Sequence, residues 1–251
     1  MSKTLSDYQD KYADASLVRE NGILEVTLQT DGGPLVWSAR AHRELPELFG
    51  DIAADRDNRM VILTGAGDAW CQDFDAESFS YIFSPDGWNA IHWEGRRLIS
   101  NLLSIDVPVI AAVNGPATIH CELMLLADIV IATPDSFFQD ACHVATGMVP
   151  GDGVHVIWPL LLGMNRGRHF LLTHQKIAAE QAQDLGLIAE VVQRDKLLNR
   201  ARELADTLAG QNDLTLRYSR LVFSEQIREA FAKHLSHGLA LEGLAALSGK
   251  V

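Results

Sequence analysis

The residues best suited to chemistry lie in four separate stretches. The segment Asn114-Gly115-Pro116-Ala117-Thr118-Ile119-His120-Cys121-Glu122-Leu123 follows one apolar run and precedes another. It reads as a turn at a strand end that leads into an apolar helix. Backbone amides at such a turn can hold an oxyanion, and His120 places a titratable ring beside them. An isolated histidine is more often structural or superficial than catalytic, so His120 alone proves little.

Phe138-Gln139-Asp140-Ala141-Cys142-His143, followed by Gly147-Met148-Val149-Pro150-Gly151-Asp152-Gly153, adds a second histidine and an aspartate held between two glycines. Asp152 has two readings: a turn residue, or a carboxylate that fixes a histidine's tautomer and raises its basicity as half of a general-base pair. In Leu35-Val36-Trp37-Ser38 and the following His42, an indole donor and an imidazole stand at the start of a helix, although Trp37 by itself reads as core. Glu242, among Leu239, Ala240, Leu241 and Leu244, is either an exposed acid or a buried functional carboxylate. Spacing alone connects none of these sites.

The elements that must position them alternate in type. Ile23 to Gln29 alternates apolar and polar residues between Asn21-Gly22 and Asp31-Gly32-Gly33, the pattern of a half-buried strand between turns. Ser38 to Ala54 has helical spacing, and so does about Trp88 to Ser104, with Ile91, Leu98 and Leu102 on one face. Met60 to Thr64, Val107 to Val113 and Ile129 to Ala132 are short apolar runs that read as buried strands. Strand, helix, strand in repetition predicts parallel strands with helical crossovers, hence an α/β core with the chemistry in loops at strand ends. After about Lys196 the strand signals stop. Two helices are expected there, Leu197 to Ala209 and Leu221 to Leu247, the second broken or kinked near Gly238 and apolar enough to pack on the core or on another subunit.

Composition narrows the function. The 251 residues carry 47% hydrophobic and 22% charged side chains, as an ordinary globular protein does, and a net charge of -12 that opposes nucleic acid and anionic lipid. Cys71, Cys121 and Cys142 match neither a disulfide framework nor a zinc ligand set, which fits a reducing cytoplasm. Met1 to Arg19 has no apolar signal core, and no stretch approaches the ~20 apolar residues of a membrane span.

The run from Ala111 to Thr133, with NGPA, CEL and ADIVIAT, resembles the crotonase superfamily pattern NGxAxGGGxELAxxxDIxxA. Val61-Ile62-Leu63-Thr64-Gly65 to Ala69-Trp70-Cys71 resembles that superfamily's strand and oxyanion loop. The resemblance covers nearly the whole chain. It implies a crotonase-like spiral of repeated β-β-α units over residues 1–195, a helical oligomerisation region over 196–251 that forms a trimer or a dimer of trimers, and backbone amides that stabilise an enolate. Two departures stand out. Thr118-Ile119-His120 replaces the glycine-rich turn, crowding the approach of a coenzyme A thioester, and His143 stands where many hydratases carry a second glutamate.

These departures, with LVW followed by AHREL, GMVPGDG, HVIWP and NRGRHFLLT, resemble the β-diketone hydrolases of the 6-oxocamphor hydrolase type. That likeness implies a retro-Claisen cleavage of a cyclic, possibly bicyclic, β-diketone by water to a keto acid. It implies His120 as base oriented by Asp152, Trp37 and His143 as donors to the enolate, and His42 and Glu242 in proton transfer or positioning. Phe79, Tyr81 and Trp158 are expected to line the pocket. No metal or organic cofactor is required, because the second carbonyl is the electron sink. The competing expectations are an enoyl-CoA hydratase or isomerase acting on a CoA thioester, and a noncatalytic crotonase-fold paralogue.

Overall fold

The computed structural model describes residues 3–248. β1 (Ala15–Glu20) and β2 (Ile23–Leu28) form a hairpin across Asn21-Gly22, whose φ values of 51° and 82° are those of a two-residue hairpin turn. β1 lies in a stretch that reads as merely polar and charged. It is an edge strand with one face in water, so its alternation is hidden among solvent-facing residues.

From β2 onward the chain repeats one manoeuvre. It lays a strand into the main sheet, a short second strand or bridge into a smaller layer, and then returns through a helix. The first units are β2, β3 (Leu35–Trp37) and α1 (Ala39–Ala54), then β4 (Met60–Gly65), β5 (Cys71–Phe74) and α2 (Pro85–Ser104). The third is β6 (Val109–Val113), with Ala117 bridged to both Cys71 and Phe138. The fourth is β7 (Ile129–Ala132), β8 (Phe137–Phe138), α3 (Val154–Leu162) and α4 (Met164–Thr173). β9 (Ile177–Ala178), α5 (Ala179–Asp184), β10 (Glu190–Val191), α6 (Leu197–Ala209) and α7 (Asp213–Ala246) complete the order.

The main sheet runs β1-β2-β4-β6-β7-β10, antiparallel at the first pair and parallel thereafter. This is the α/β spiral of β-β-α units implied by the motifs. β4 and β6 are buried at every residue because both faces are covered. Leu24, Val26, Val61, Leu63, Val109 and Ala111 face the main core, while their neighbours Ile23, Met60, Ile62, Ile110, Ala112 and Ile131 face Leu197, Ala201 and Ala205 of α6. α6 thus closes the second face of the sheet.

Two expectations are corrected. The helix after the His120 turn is only a short 3-10 turn, Leu123–Leu126, because β7 begins at Ile129. α7 is one helix of 34 residues that starts at Asp213 and passes through Gly238 unbroken. Gly238 answers a packing need: a Cβ there would lie 2.3 Å from His155 Cε1 and 2.5 Å from the Gly151 carbonyl oxygen. Among the described residues no helix is long and apolar enough to cross a membrane.

α7 is held at its other end by two buried arginines. Arg217 pairs with Asp106 and donates to the Arg56 and Asn58 carbonyls. Arg220 donates to the Ile105 carbonyl at 2.7 Å and to Asp128, whose carboxylate also accepts the Val109 amide at 2.7 Å. Arg220→Ala should cost about 3 kcal/mol in urea unfolding, the lower end for breaking a buried pair, because Asp128 keeps its amide partner and some solvent. A loss below about 1 kcal/mol would mean that the pair behaves as a surface bridge.

Candidate active site

The spiral leaves a cavity of about 400 Å³ between the end of β3, the start of α1, the 3-10 segment Glu77–Phe83, α2 and α7. Its wall is largely apolar, with Phe74 and Phe79 stacked at 5.0 Å. Trp37, His42, His120, His143, Asp152 and Glu242 all line it. Four distant stretches of sequence meet there. Phe79 lines it too, whereas Tyr81 and Trp158 do not. Tyr81 is 40% exposed on the outer side of its turn, and Ile82 and Phe83 line the cavity instead. Trp158 is fully buried behind the site, stacked on Phe170 at 4.1 Å as a core residue.

His120 sits at φ 46°, in the left-handed region that glycine tolerates and most residues avoid. The turn is pinned by the Thr118 and Ile119 amides, which donate to the Cys71 carbonyl at 2.9 and 3.2 Å. The Trp70 and Cys71 amides donate to the Pro116 carbonyl. These four amides are therefore committed to the fold.

The His120 Nδ1 faces two acceptors, Glu122 Oε1 at 2.7 Å and Asp152 Oδ2 at 3.3 Å. It must carry a proton, which leaves Nε2 as the ring's basic atom. Glu122 is thus the nearer partner, although Asp152 is the one the sequence likeness implies. The same Asp152 oxygen lies 3.4 Å from His143 Nε2, and His143 Nδ1 pairs with Asp140 Oδ1 at 2.7 Å. Glu242 Oε1 approaches His143 Nε2 at 3.7 Å, and His42 Nδ1 meets Glu94 Oε2 at 2.7 Å. The Trp37 and His120 rings lie 3.9 Å apart.

Glu122, Asp140 and Glu94 were absent from the sequence-derived site. Asp140 had a usable signal, since it precedes His143 by one helical-type spacing. Glu122 was visible two residues after His120. Glu94 pairs across a long sequence separation and left no local trace.

The Asp152 loop depends on its glycines. A Cβ on Gly151 would meet the Gly238 carbonyl oxygen at 2.3 Å and Glu242 Cβ at 2.9 Å, while Gly153 has φ 132°. Loop and α7 can touch only because these side chains are missing. α7 is further seated by the Trp88 indole, which donates to the Leu239 carbonyl at 2.9 Å. That contact fixes the turn bearing Glu242.

Burial and charge compete at every titratable group. Burial pulls the His120 pKa down, but Glu122 and Asp152 more than reverse it, leaving it above its ordinary value. Burial likewise opposes the charged form of His143, and the neighbouring Cys142, Asp152 and Asp140 side chains outweigh it strongly. Burial raises Asp152, yet the two imidazoles draw it below the usual carboxylate range. Burial dominates elsewhere, lifting Glu122, holding Glu242 at about 7, lowering His42 despite Glu94, and pushing the Cys142 thiol up to about 12. The site thus holds a protonated donor at His143, a His120 ring made more basic by its carboxylates, an ionised Asp152 and a carboxyl group at Glu242 poised to exchange a proton near neutrality. Two groups have metal-binding proximity among the described residues, His120 with Glu122 and Asp152, and Asp140 with Cys142 and His143.

A family model for enoyl-CoA hydratase/isomerase matches residues 18–242. The chain belongs to that family. Within it, the chain is 46% identical to a β-diketone hydrolase from the cyanobacterium Anabaena sp. PCC 7120, solved bound to (S)-3-oxocyclohexyl acetic acid. The two superpose with a TM-score of 0.95 over 96% of this chain and 97% of that one. Two curated relatives share less of the sequence. The 1,2-epoxyphenylacetyl-CoA isomerase of Escherichia coli strain K12 is 31% identical over 196 residues, 76% of this chain and 74% of the relative. The probable peroxisomal enoyl-CoA hydratase 1 of Arabidopsis thaliana is 28% identical over 201 residues, 79% and 72% respectively.

Asp152→Asn should lower the pKa of both His120 and His143, read from ring-proton NMR titration. Each folded value lies above the unfolded value of about 6.5, so the stability they contribute is complete below about pH 6.5 and is lost as pH rises through the folded values. The variant should flatten that limb of urea midpoint against pH. Unchanged histidine titrations would mean that Asp152 is not the shared counter-charge.

Proposed function

We propose that this protein hydrolyses a cyclic β-diketone, cleaving the carbon-carbon bond between one carbonyl and the carbon shared with the other to give a keto acid. The observation that carries the reading is His120, held in a left-handed turn with Nδ1 bonded to Glu122 and 3.3 Å from Asp152, and its ring on an apolar cavity. Water adds to one carbonyl carbon as His120 Nε2 takes its proton, and a tetrahedral alkoxide forms. Collapse of the alkoxide makes the carboxylic acid and breaks the carbon-carbon bond, whose electron pair enters the second carbonyl as an enolate. His143 and the Trp37 indole donate to the enolate oxygen, a stabilisation worth about 3 to 4 kcal/mol per preorganised donor. Protonation at carbon returns the proton taken from water. Glu242 and His42 serve proton transfer and positioning, and Glu122 shares with Asp152 the orientation of His120.

The substrate class is supported from two sides. No lysine or arginine lines the cavity among the described residues, so nothing there matches the phosphates of coenzyme A, and the charged groups suit a compact neutral diketone. The keto acid bound to the Anabaena hydrolase has the composition of bicyclo[2.2.2]octane-2,6-dione plus one water. The relatives named for CoA thioesters keep the hydratase reading as the alternative that the assay must separate. Self-association belongs to the same proposal. Val222, Phe223 and Leu244 on α7 are at least two-thirds exposed, as expected of a surface that another copy covers in a trimer or dimer of trimers.

Bicyclo[2.2.2]octane-2,6-dione should be converted to 3-oxocyclohexylacetic acid, followed by diketone absorbance and chiral analysis, with crotonyl-CoA untouched. Crotonyl-CoA turnover without diketone cleavage would return the chain to the hydratases. His120→Ala should lower kcat by roughly 10²- to 10⁴-fold with KM little changed, the usual contribution of a general base. Near-parental turnover in a folded variant would remove His120 from that role.

A further inference from the structure

Cys142 has no task in the cleavage, yet it is tightly placed. Its Sγ lies 3.6 Å from Asp140 Oδ1 and 3.6 Å from His143 Nδ1, which are themselves 2.7 Å apart. A tetrahedral zinc ion, with bonds of about 2.3 Å to sulfur and 2.0 to 2.1 Å to nitrogen or oxygen, holds a sulfur ligand about 3.5 Å from its neighbours. Two of the three edges already have that length. The third would open by about 0.6 Å once the proton between Asp140 and His143 is gone.

An independent observation points to a ligand. Asp140 is 1% exposed, and its Oδ2 is buried with no hydrogen-bond partner among the described residues. A buried carboxylate with one oxygen left unsatisfied is costly to keep ionised, and a cation bound at its other oxygen offsets part of that cost through its charge. Cys142 and His143 both line the cavity, which supplies the entry path and room for a water as a further ligand.

We propose that Asp140, Cys142 and His143 form a binding site for a soft divalent cation of the zinc class, completed by a cavity water. Binding exchanges the thiol proton of Cys142 and the Nδ1 proton of His143 for the ion, both protons leaving to solvent. The thiolate and the Asp140 carboxylate neutralise the double charge. A thiolate with one imidazole and one carboxylate selects zinc, cobalt or cadmium over magnesium and calcium. The His143 Nε2 stays directed at Asp152 and Glu242, so the ion would sit directly behind a group of the reaction centre. The site does not depend on the diketone reading, and its test uses no substrate.

The full-length protein, stripped with a chelator, is titrated with zinc by calorimetry and with cobalt(II) by absorption. The expected result is one ion per chain and a thiolate-to-cobalt charge-transfer band in the near ultraviolet. Cys142→Ser should abolish the band, and Cys71→Ser, at a buried cysteine outside the cluster, should retain it. Asp140→Asn should weaken zinc binding by at least about tenfold. Circular dichroism establishes that each variant is folded. Absence of zinc binding, a band that survives Cys142→Ser, or full affinity in Asp140→Asn overturns the proposal.

Discussion

Asp152 Oδ2 lies 3.3 Å from His120 Nδ1 and 3.4 Å from His143 Nε2, and the arrangement of the cavity follows from this shared contact. Neither imidazole could stay protonated in so dry a place alone, since burial opposes the charged form of each. The Asp152 carboxylate between them supports the charge on His143 and, together with the nearer Glu122, the charge His120 acquires on taking a proton, and it is itself kept ionised by the two rings. Removing any member therefore changes the other two. Such groups act as a unit whose parts do not add.

Holding three groups of separate origin within hydrogen-bonding range is a task for the fold. β6 delivers His120 through the turn at its end, the loop before α3 delivers Asp152, and the segment after β8 delivers His143. The parallel strands bring these connections to one edge, as expected of an α/β sheet. α7 then closes the arrangement from outside with Glu242. Its seat requires Gly151 against Gly238, and its far end is anchored by Arg217 and Arg220. The buried arginines lie far from the chemistry along the helix, but they set where its other half rests.

Much of this was legible in the sequence, for identifiable reasons. Fully buried parallel strands such as Met60–Gly65 announce themselves as continuous apolar runs, and Asn21-Gly22 marks a hairpin turn. The short strands of the second layer were not legible, because two- to four-residue pieces such as Phe137–Phe138 carry no period. Gly238 misled for a physical reason. The cost of glycine to a helix is local, while its use here is a tertiary contact that only the packed molecule displays. The motif likeness brought six site residues to one cavity, but it favoured Asp152 as the partner of His120 and missed the nearer Glu122. Which of two carboxylates wins an imidazole depends on tenths of an ångström that no spacing rule encodes.

The left-handed backbone at His120 links fold to chemistry. A glycine there would adopt the turn without strain and would offer substrate a bare backbone. A histidine costs on the order of 1 kcal/mol or more in the same conformation, and the turn tolerates it because two amides on the Cys71 carbonyl and the Glu122 bond hold it in place. In return the cavity gains an imidazole where bare backbone would otherwise stand, while the Thr118 and Ile119 amides are spent on the fold. An imidazole set in an apolar wall needs a counter-charge before it can carry a proton. Glu122 and Asp152 beside His120 supply the counter-charge that this exchange of backbone for imidazole requires.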